Sequence, residues 1–564
     1  MDTDLGLMWI AISAVLVFIM QAGFLILEAG LTRPKNNINV ALKNLTDFAI
    51  TSIMFWGFGY ALMFGTSVGG LFGTSGFLLE VESVGFRQFI FFFFQVMFCG
   101  TAVTIIAGAI AERCRFNAYL LAVVIVSGLV YPVFGHWAWN GIDATPGGWL
   151  GSNGFVDFAG ASVVHSVGGW ASLALVLILG PRLGRFRPEG SINEMPSANI
   201  PTATLGVFLL WFGWFGFNGG STLTFGDNTG RVLVNTMMGG AAGLTTAIVL
   251  SWFRKRQADS TWIINGTLAG LVAITANAHA TSTAAALLIG AIGCVVMLLV
   301  EDVLIRLRID DAVGAIPVHL GAGIWGTLAA GLFGQPELLG TGLPWFQQVL
   351  IQVVGIITCG IWVFGSTYLI FRLINVIYPL RVSAEAEEIG LNVSEHGAVT
   401  ESLQLLQVMQ QQQHSGDTSL RAPVQPFSEI GQIAAQYNNV MQKLESTAAR
   451  SNAVIRSSLD GIITFEAGSM RITSFNPAAG QMFGYMPDQV IGQSLSVLLG
   501  APDGVPLDNY QLNAIFQRKG HGQRYEIYGR REDSSIFPMS VVITQATAGD
   551  ESFYTGVFHD ISQS

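Results

Sequence analysis

Long apolar stretches dominate roughly the first 380 residues of the chain. A hydrocarbon core of ~30 Å needs about 20 apolar residues to be crossed by a helix. The pattern predicts about eleven such spans, near residues 8–28, 45–65, 88–110, 117–135, 157–180, 200–219, 232–253, 261–278, 283–304, 314–334 and 347–373. After about residue 381 the apolar runs give way to stretches rich in Glu, Gln and Ser, which predicts a second, water-exposed part.

Basic residues cluster at every second junction between the predicted spans. These junctions follow the first, third, fifth, seventh, ninth and eleventh spans and contain Arg33, Arg113, Arg182, Arg254, Arg306 and Arg381. Because Lys and Arg are enriched in cytoplasmic loops, the alternation predicts an outer N-terminus and a cytoplasmic C-terminus in the cell (inner) membrane. A cleavable signal peptide at residues 5–27 is the alternative. That leader lacks a basic start and is interrupted by Gln21, so a retained helix is favoured.

The composition agrees with a membrane protein. Hydrophobic residues make up 51% of the chain and charged residues 11%, and the mean hydropathy is +0.52. These values exclude a water-soluble fold for the apolar part. The formal net charge is −10 without a basic run, which excludes nucleic acid as a partner. The cysteines lie in or beside apolar stretches without metal-ligand spacing, so we expect buried fillers at Cys99, Cys114, Cys294 and Cys359.

Two histidines occupy matching frames inside two of the apolar stretches. His165 follows Asp157 by eight residues (165 − 157 = 8), and His319 follows Asp311 by the same eight (319 − 311 = 8). A Val-His pair and a continuation containing Gly and Trp occur in both frames, which indicates an internal duplication. Ionisable groups inside a bilayer are costly and usually functional.

The predicted topology places both imidazoles near the middle of the membrane. The fifth span runs inward and the tenth runs outward, and each His lies ~12 Å further along its helix than its Asp. An inverted repeat of the first five and the next five spans would produce this arrangement, with the functional site between the repeats. Two unrelated core histidines bonded to nearby carbonyls are the alternative, which the mirrored recurrence of the frame disfavours.

Imidazole is suited to a narrow apolar path for a small polar molecule. Burial disfavours the charged form, and the two ring nitrogens accept a proton on one side and donate one on the other. This chemistry suits ammonia or a proton relay, and it does not suit bulky substrates.

Several motifs resemble the ammonium transporter (Amt/Mep/Rh) family. They are QAGFLILEAG at residues 21–30, KNLTD at 43–47, DFAG at 157–160, WFGFN at 214–218, DDAVG at 310–314 and LNVSEHG at 391–397. The resemblance covers roughly residues 1–400, in order. It implies a homotrimer in the lipid bilayer, with one hydrophobic pore per subunit and ammonium or ammonia as the passenger.

By position, the resemblance also assigns an outer ammonium-recruitment site to Phe98, Trp139 and Ser221. Cation–π attraction to the rings and a hydroxyl acceptor would hold ammonium there, whereas potassium donates no hydrogen bonds. Phe98 and Phe217 would form a paired aromatic gate below this site. Without the family, such aromatics would be read as packing or as part of an interfacial belt.

The resemblance matches His165 and His319 to the family's pore pair. It matches Asp157 to a buried carboxylate with a structural and electrostatic role. The expected fold for residues 1–381 is therefore an α-helical polytopic membrane domain of 11 transmembrane helices with an inverted 5+5 repeat.

Two segments depart from the family's pattern. The link after Trp139 is longer than usual and contains Asn140, Asp143 and a competing Trp149, which are expected to alter ion recruitment. We retain Trp139 for the recruitment site because of its local frame. The turn before the ninth span also differs and contains His279, which we expect to be an exposed loop residue and not part of a site.

The water-exposed part divides into a tail with a helical linker at residues 382–450 and a compact domain at 451–564. In relatives the tail packs beneath the trimer and can meet a nitrogen-regulatory protein. The compact domain combines short β-prone runs with the motifs NPAAG at 476–480 and HDI at 559–561, and it resembles a cytoplasmic α+β PAS sensor domain.

The PAS resemblance bears on cofactors. In PAS domains of the haem-binding type, a histidine is the axial ligand of the iron, and the matching position here is occupied by Leu507, which cannot ligate iron. On sequence alone, His521 and His559 are possible replacements for this ligand. A photoreactive flavin cysteine is excluded because no Cys follows Cys359. We therefore expect no cofactor, and a domain that binds a protein or a small ligand.

The sequence favours an ammonium transporter with a sensory role over two alternatives. One is a non-conducting ammonium receptor that signals through the PAS domain to a cytoplasmic signalling protein. The other is a channel for neutral gas or water. Neither a glycine-rich nucleotide motif nor a kinase histidine box occurs in the sequence, so we do not expect an enzyme.

Overall fold

Two units make up the protein, and the division falls between Val399 and Thr400. The computed structural model describes residues 4–141, 147–503, 505–519, 522–548 and 551–562, with the backbone alone at 81–84, 517–519, 548 and 551. The first unit contains the apolar helices and the tail. The second contains the linker helices and the compact domain.

Each predicted span corresponds to one helix of the first unit. In the described ranges, ten helices are long and apolar enough to cross a membrane, and a shorter apolar helix joins them. In chain order they are α1 (Asp4–Leu31), α2 (Pro34–Phe64), α3 (Gly85–Ala109), α4 (Phe116–Trp139), α5 (Ala161–Leu179), α6 (Ile200–Gly220), α7 (Asp227–Lys255), α8 (Ser260–Thr275), α9 (Thr283–Arg306), α10 (Ile316–Phe333) and α11 (Trp345–Ile377). The chain is therefore a multi-pass helical membrane protein.

A buried network of charges joins four of the connections between these helices. Arg182, which follows α5, donates to both carboxylate oxygens of Asp310 at 2.8 and 2.9 Å and to Glu112 at 3.0 Å. Arg33, which follows α1, also pairs with Glu112. Arg113 adds a donor to the backbone carbonyl of Asp310 at 2.5 Å. One cluster thus links the connections before α2, α4, α6 and α10.

Neighbouring arginines lower the pKa of both carboxylates of this network despite their burial. Burial alone would raise the pKa of Asp310, but the hydrogen bonds and charge of Arg182, with the charge of Arg113, hold that pKa well below its usual range. Burial of Glu112 is likewise outweighed by Arg182 and Arg33, which lower its pKa. A buried ionised carboxylate is tolerated when it is paired and hydrogen-bonded in this way.

The tail packs against the same end of the helices. Helices α12 (Ala384–Ile389) and α13 (Leu391–His396) follow α11. The Asn392 side chain accepts from the backbone N–H groups of Ile38 and Asn39 at 3.0 and 3.1 Å, at the start of α2. The first unit therefore includes this tail.

Two helices lead into the compact domain of the second unit. Helix α14 (Glu401–Ser415) packs against α15 (Glu429–Ser457) through a small apolar cluster that includes Leu405 and Ala434. Asn476 fixes the end of α15 to the domain, because its amide donates to the carbonyls of Ile455 and Asp460 at 3.1 and 3.0 Å.

The compact domain is a six-stranded antiparallel sheet with helices on it. The strands are β1 (Gly461–Glu466), β2 (Ile472–Phe475), β3 (Leu499–Gly500), β4 (Arg524–Arg530), β5 (Ile536–Ala548) and β6 (Glu551–Asp560), and their order in the sheet is β2-β1-β6-β5-β4-β3. Helices α16 (Pro477–Phe483) and α17 (Asn509–Lys519) lie between strands. The β-prone runs of the sequence at residues 461–465, 472–475, 523–530, 536–545 and 553–560 are confirmed as strands, whereas β3 and α17 were not predicted.

We expect loss of the buried Asp310 charge to destabilise the membrane unit. Asp310→Asn leaves Arg182 without its main counter-charge, and breaking a buried pair costs about 3–5 kcal/mol. The thermal unfolding midpoint of the full chain in detergent should therefore fall clearly. Asp302→Asn is the control, because Asp302 pairs with Arg254 at 2.9 Å at a largely exposed site. Equal midpoints for the two variants would contradict this account.

Candidate functional site

The Asp157 carboxylate caps the start of α5, the helix that carries His165, and both of its oxygens accept hydrogen bonds there. Asp157 Oδ1 accepts from the backbone N–H groups of Gly160 and Ala161 at 3.1 and 2.8 Å, and Oδ2 accepts from Ser162 and Val163, both at 2.8 Å. The first N–H groups of a helix have no partner within the helix, and a carboxylate there also interacts favourably with the helix dipole. Asp157 therefore fixes the start of α5.

Asp311 has the same role at the start of α10. Its Oδ1 accepts from Val313 and Gly314 at 3.2 and 3.0 Å, and its Oδ2 accepts from Ile316 at 2.6 Å. The glycine before each helix has left-handed backbone, with φ of 108° at Gly160 and 82° at Gly314. The Asp–His frames of the sequence thus correspond to two equivalent structural motifs.

The two imidazoles meet inside the first unit. Each lies in a π-helical turn, Ala161–Ser166 or Ile316–Gly321. Nδ1 of His165 is 3.1 Å from Nδ1 of His319, so one nitrogen donates a hydrogen bond to the other. Both side chains are buried. Within the described residues, Nε2 of His165 is buried without a hydrogen-bond partner, and it can therefore bond a small polar molecule.

Aromatic side chains surround the imidazole pair. The Trp214 ring stacks on His165 with the centroids 5.0 Å apart, and the Phe24 ring lies 6.0 Å from that of His319. The indole N–H of Trp214 donates a hydrogen bond to the Thr275 hydroxyl oxygen at 2.9 Å. The walls near the imidazoles are therefore apolar.

Two phenylalanines are stacked on one side of the imidazoles. The rings of Phe98 and Phe217 stack with centroids 4.1 Å apart and an interplanar angle of 25°. Both are buried, and Phe217 lies 5.5 Å from the His165 ring. The structure therefore brings the predicted gate residues into contact directly above His165.

The residues predicted to recruit ammonium lie around this aromatic pair. Trp139 meets Phe98 edge to face at 6.1 Å, and its indole N–H donates to the Asp157 carbonyl at 2.7 Å. The Ser221 hydroxyl donates to the Phe217 carbonyl at 2.8 Å, which leaves the lone pairs of its oxygen able to accept. Two aromatic faces and one hydroxyl oxygen thus belong to the same region.

The unusual link after Trp139 does not displace Trp139 from its contact with Phe98. The Trp149 ring contacts that of Trp137 at 6.1 Å, and the amide of Asn140 is bonded to two backbone carbonyls at 3.0 Å. Asp143 lies outside the described residues. Among the described residues of this link, Trp139 is therefore the one that contacts Phe98.

His279 is not an exposed loop residue, and that prediction was wrong. Its ring stacks on Phe158 with centroids 4.3 Å apart, and burial, with a smaller effect of the Arg231 charge, lowers its pKa to about 4. The cause is a contact between two connections, because the N–H of Phe158 donates to the Ala276 carbonyl at 3.2 Å. No sequence signal showed this long-range contact.

One cavity adjoins His319, and a second cavity adjoins the first. A cavity of about 20 Å³ is lined by His319, Glu28 and Asn265, and a wider one of about 150 Å³ is lined by Asn265, Glu301 and Asp311. Shared lining residues show that the two adjoin. Sequence reasoning treated Glu28 only as part of a motif, and it did not place this side chain beside His319.

The structure describes two of the three residues of the compact domain that were considered for haem. Leu507 packs against the apolar core, whereas the His559 side chain is exposed and its Nδ1 is 2.7 Å from an oxygen of Asp460. His521 lies outside the described residues.

Taken together, the geometry defines a helical membrane protein in which aromatic rings surround a buried pair of imidazoles. The Ammonium Transporter Family model matches residues 8–401, and a PAS domain model matches residues 459–563. The chain belongs to the ammonium transporter family, and it carries a C-terminal PAS domain.

Individual relatives agree with this assignment. A protein of Synechocystis sp. is 49% identical over 454 residues, which is 80% of this chain and 84% of that protein. Ammonium transporter Amt2 of Archaeoglobus fulgidus is 40% identical over 419 residues, 71% of this chain and 88% of the relative.

A solved structure named Sensor Amt Protein matches with a TM-score of 0.68 and 40% identity, over 70% of this chain and 98% of its own.

We expect Asp157→Ala to destabilise the start of α5. Four backbone N–H groups would lose their acceptor, and each buried donor left unbonded costs about 1–3 kcal/mol. The thermal unfolding midpoint in detergent should fall by more than in Asp157→Asn, which retains one carbonyl acceptor. An unchanged midpoint in Asp157→Ala would show that the cap is dispensable.

Proposed function

We propose that the protein conducts ammonium or ammonia through the path between Phe98 and His319, and that this activity is coupled to signalling through the PAS domain. The observation that carries the proposal is the pair of imidazoles 3.1 Å apart beneath the stacked Phe98 and Phe217 rings. A neutral, hydrogen-bonding pair inside an apolar wall suits a small polar molecule and repels ions that keep their hydration shell.

Recruitment begins above the gate. Ammonium is attracted to the faces of Trp139 and Phe98 by cation–π interaction, and it donates a hydrogen bond to the Ser221 hydroxyl. Potassium gains the first interaction but not the second. This difference selects for ammonium over an alkali cation of similar size.

Passage then requires that the Phe98 and Phe217 rings separate. Ammonium loses a proton near the gate, since its charged form is costly in an apolar path. Ammonia bonds to the free Nε2 of His165 and moves past His319, and the proton follows separately or along the two imidazoles. Asp157 keeps the start of α5 in place and does not contact the passenger.

The assembly and orientation follow from the same proposal. The protein is a homotrimer in the cell (inner) membrane, with its N-terminus outside and its C-terminus in the cytoplasm. The buried charges of Arg182, Asp310 and Glu112 and the docked tail then lie at the cytoplasmic end, in agreement with the positive-inside rule. A cytoplasmic signalling or nitrogen-regulatory protein receives the output, and the protein itself is not an enzyme.

A second candidate is an ammonium receptor that does not conduct. The fused PAS domain and the likeness to a protein named Sensor Amt Protein favour it. In that case occupancy of the Phe98–Trp139 region shifts the later helices and the tail, and the closed rings never separate. Conduction distinguishes the two.

We expect ammonium-evoked currents from the full chain in proteoliposomes on a supported membrane. His165→Ala and His319→Ala should each abolish the current while leaving ammonium binding at the outer site intact. His414→Ala is the control, because His414 is exposed in α14 and belongs to the second unit.

Absence of current from the native protein, with ammonium still bound, would overturn the transport proposal and leave the receptor. Native currents unchanged in both histidine variants would instead show that conduction does not use the imidazole pair.

A further inference from the structure

Glu28 is a carboxylic acid at the inner end of the proposed path. It lies in α1 with 2% of its surface exposed, and it lines the 20 Å³ cavity together with His319. A cavity of this size holds about one water-sized molecule, which is also the size of ammonia. A molecule that passes His319 therefore meets the Glu28 carboxyl group next.

Neighbouring side chains fix the orientation of this carboxyl group. Asn44 Nδ2 donates to Glu28 Oε2 at 2.8 Å, and Asn44 Oδ1 accepts from the Thr104 hydroxyl at 2.7 Å. The other oxygen, Oε1, occupies the space beside Gly108, where a Cβ atom would lie 2.8 Å from it. Asn44 and Thr104 are therefore positioning residues for Glu28.

Two other carboxylates near the proposed path have partners, and a third lines a different cavity. Asp311 accepts three backbone N–H groups, and Asp310 is paired with Arg182. Glu301 lines only the wider cavity and lies farther from the imidazoles along the path. Among the described carboxylates, Glu28 is thus the one that shares a cavity with His319.

We propose that Glu28 is the proton-exchanging group that recharges ammonia after it has passed His319. This inference rests on the proposed conduction and names a residue for the return of the proton. An ionisable group buried at membrane depth beside a transport path is functional in most proteins, since its burial is otherwise costly.

The step is balanced in protons. The O–H bond of the Glu28 carboxyl group breaks, an N–H bond to ammonia forms, and ammonium leaves through the wider cavity. The carboxylate regains a proton that arrives along the imidazole pair. Net transfer is then one ammonium ion, so charge moves although ammonia and the proton cross the narrow part separately.

Glu28→Gln tests this role, because glutamine retains a hydrogen-bond acceptor for Asn44 but cannot exchange the proton. The full chain is reconstituted in proteoliposomes, and ammonium-evoked current is recorded together with the pH of the lumen from a trapped dye. We expect the current to fall at least about a hundredfold, the lower end of the range for loss of a general acid or base. Ammonia entry, seen as alkalinisation of the lumen, should persist.

Asp47→Asn is the matched control. Asp47 is also a fully buried carboxylate, bonded by the Tyr119 hydroxyl, but it does not line the cavity beneath His319. Its variant should keep the native current. Glu28→Asp, which is shorter but still ionisable, should restore part of the current lost in Glu28→Gln.

Four outcomes would overturn the inference. Native current and an unchanged lumen response in Glu28→Gln would show that the proton returns elsewhere. Loss of both current and ammonia entry, or no recovery in Glu28→Asp, would show that Glu28 only supports the fold. A native protein without ammonium-evoked current would overturn the transport proposal itself, and with it the proposed role of Glu28. If only the role of Glu28 is wrong, the native protein still conducts.

Discussion

Two carboxylates determine where the imidazoles lie. Asp157 and Asp311 saturate the first N–H groups of α5 and α10, and both helices start with a left-handed glycine and a π-helical turn. Because a helix end buried without acceptors is costly, these starts have little freedom to shift. The 3.1 Å approach of His165 to His319 depends on both starts at once. Asp157 also positions the aromatic residues, because the Trp139 indole N–H donates to the Asp157 carbonyl and Trp139 contacts Phe98, which stacks on Phe217.

Much of this arrangement could be predicted because it follows from local sequence patterns or from the internal repeat. Eleven apolar runs give eleven helices, and the equal spacing of Asp and His in two frames indicates two equivalent helix starts. The contact between Phe98 and Phe217, from α3 and α6, is different. Nothing in the spacing of these residues brings them together, and their pairing came from the family resemblance, which carries three-dimensional information that one sequence does not.

What could not be predicted consists of long-range polar contacts. His279 was expected in solvent, but it packs on Phe158 because two connections distant in sequence are hydrogen-bonded to each other. The ion pairs of Arg182 with Asp310 and Glu112 join residues far apart in the chain, and the sequence shows only their charges. Short β3 and polar α17 in the PAS domain have no strong periodicity of their own. Such elements are defined by their neighbours, so local patterns miss them.

The stacked rings of Phe98 and Phe217 have a consequence for the cell as a whole. With centroids 4.1 Å apart, they leave no room for a water molecule between them. If ammonium or ammonia passes between these rings, as proposed, a membrane containing many copies of this protein stays electrically insulating while the rings are together, and its voltage is preserved. An idle subunit of this kind imposes no standing drain on energy metabolism, whether its task is to carry ammonium or to report it.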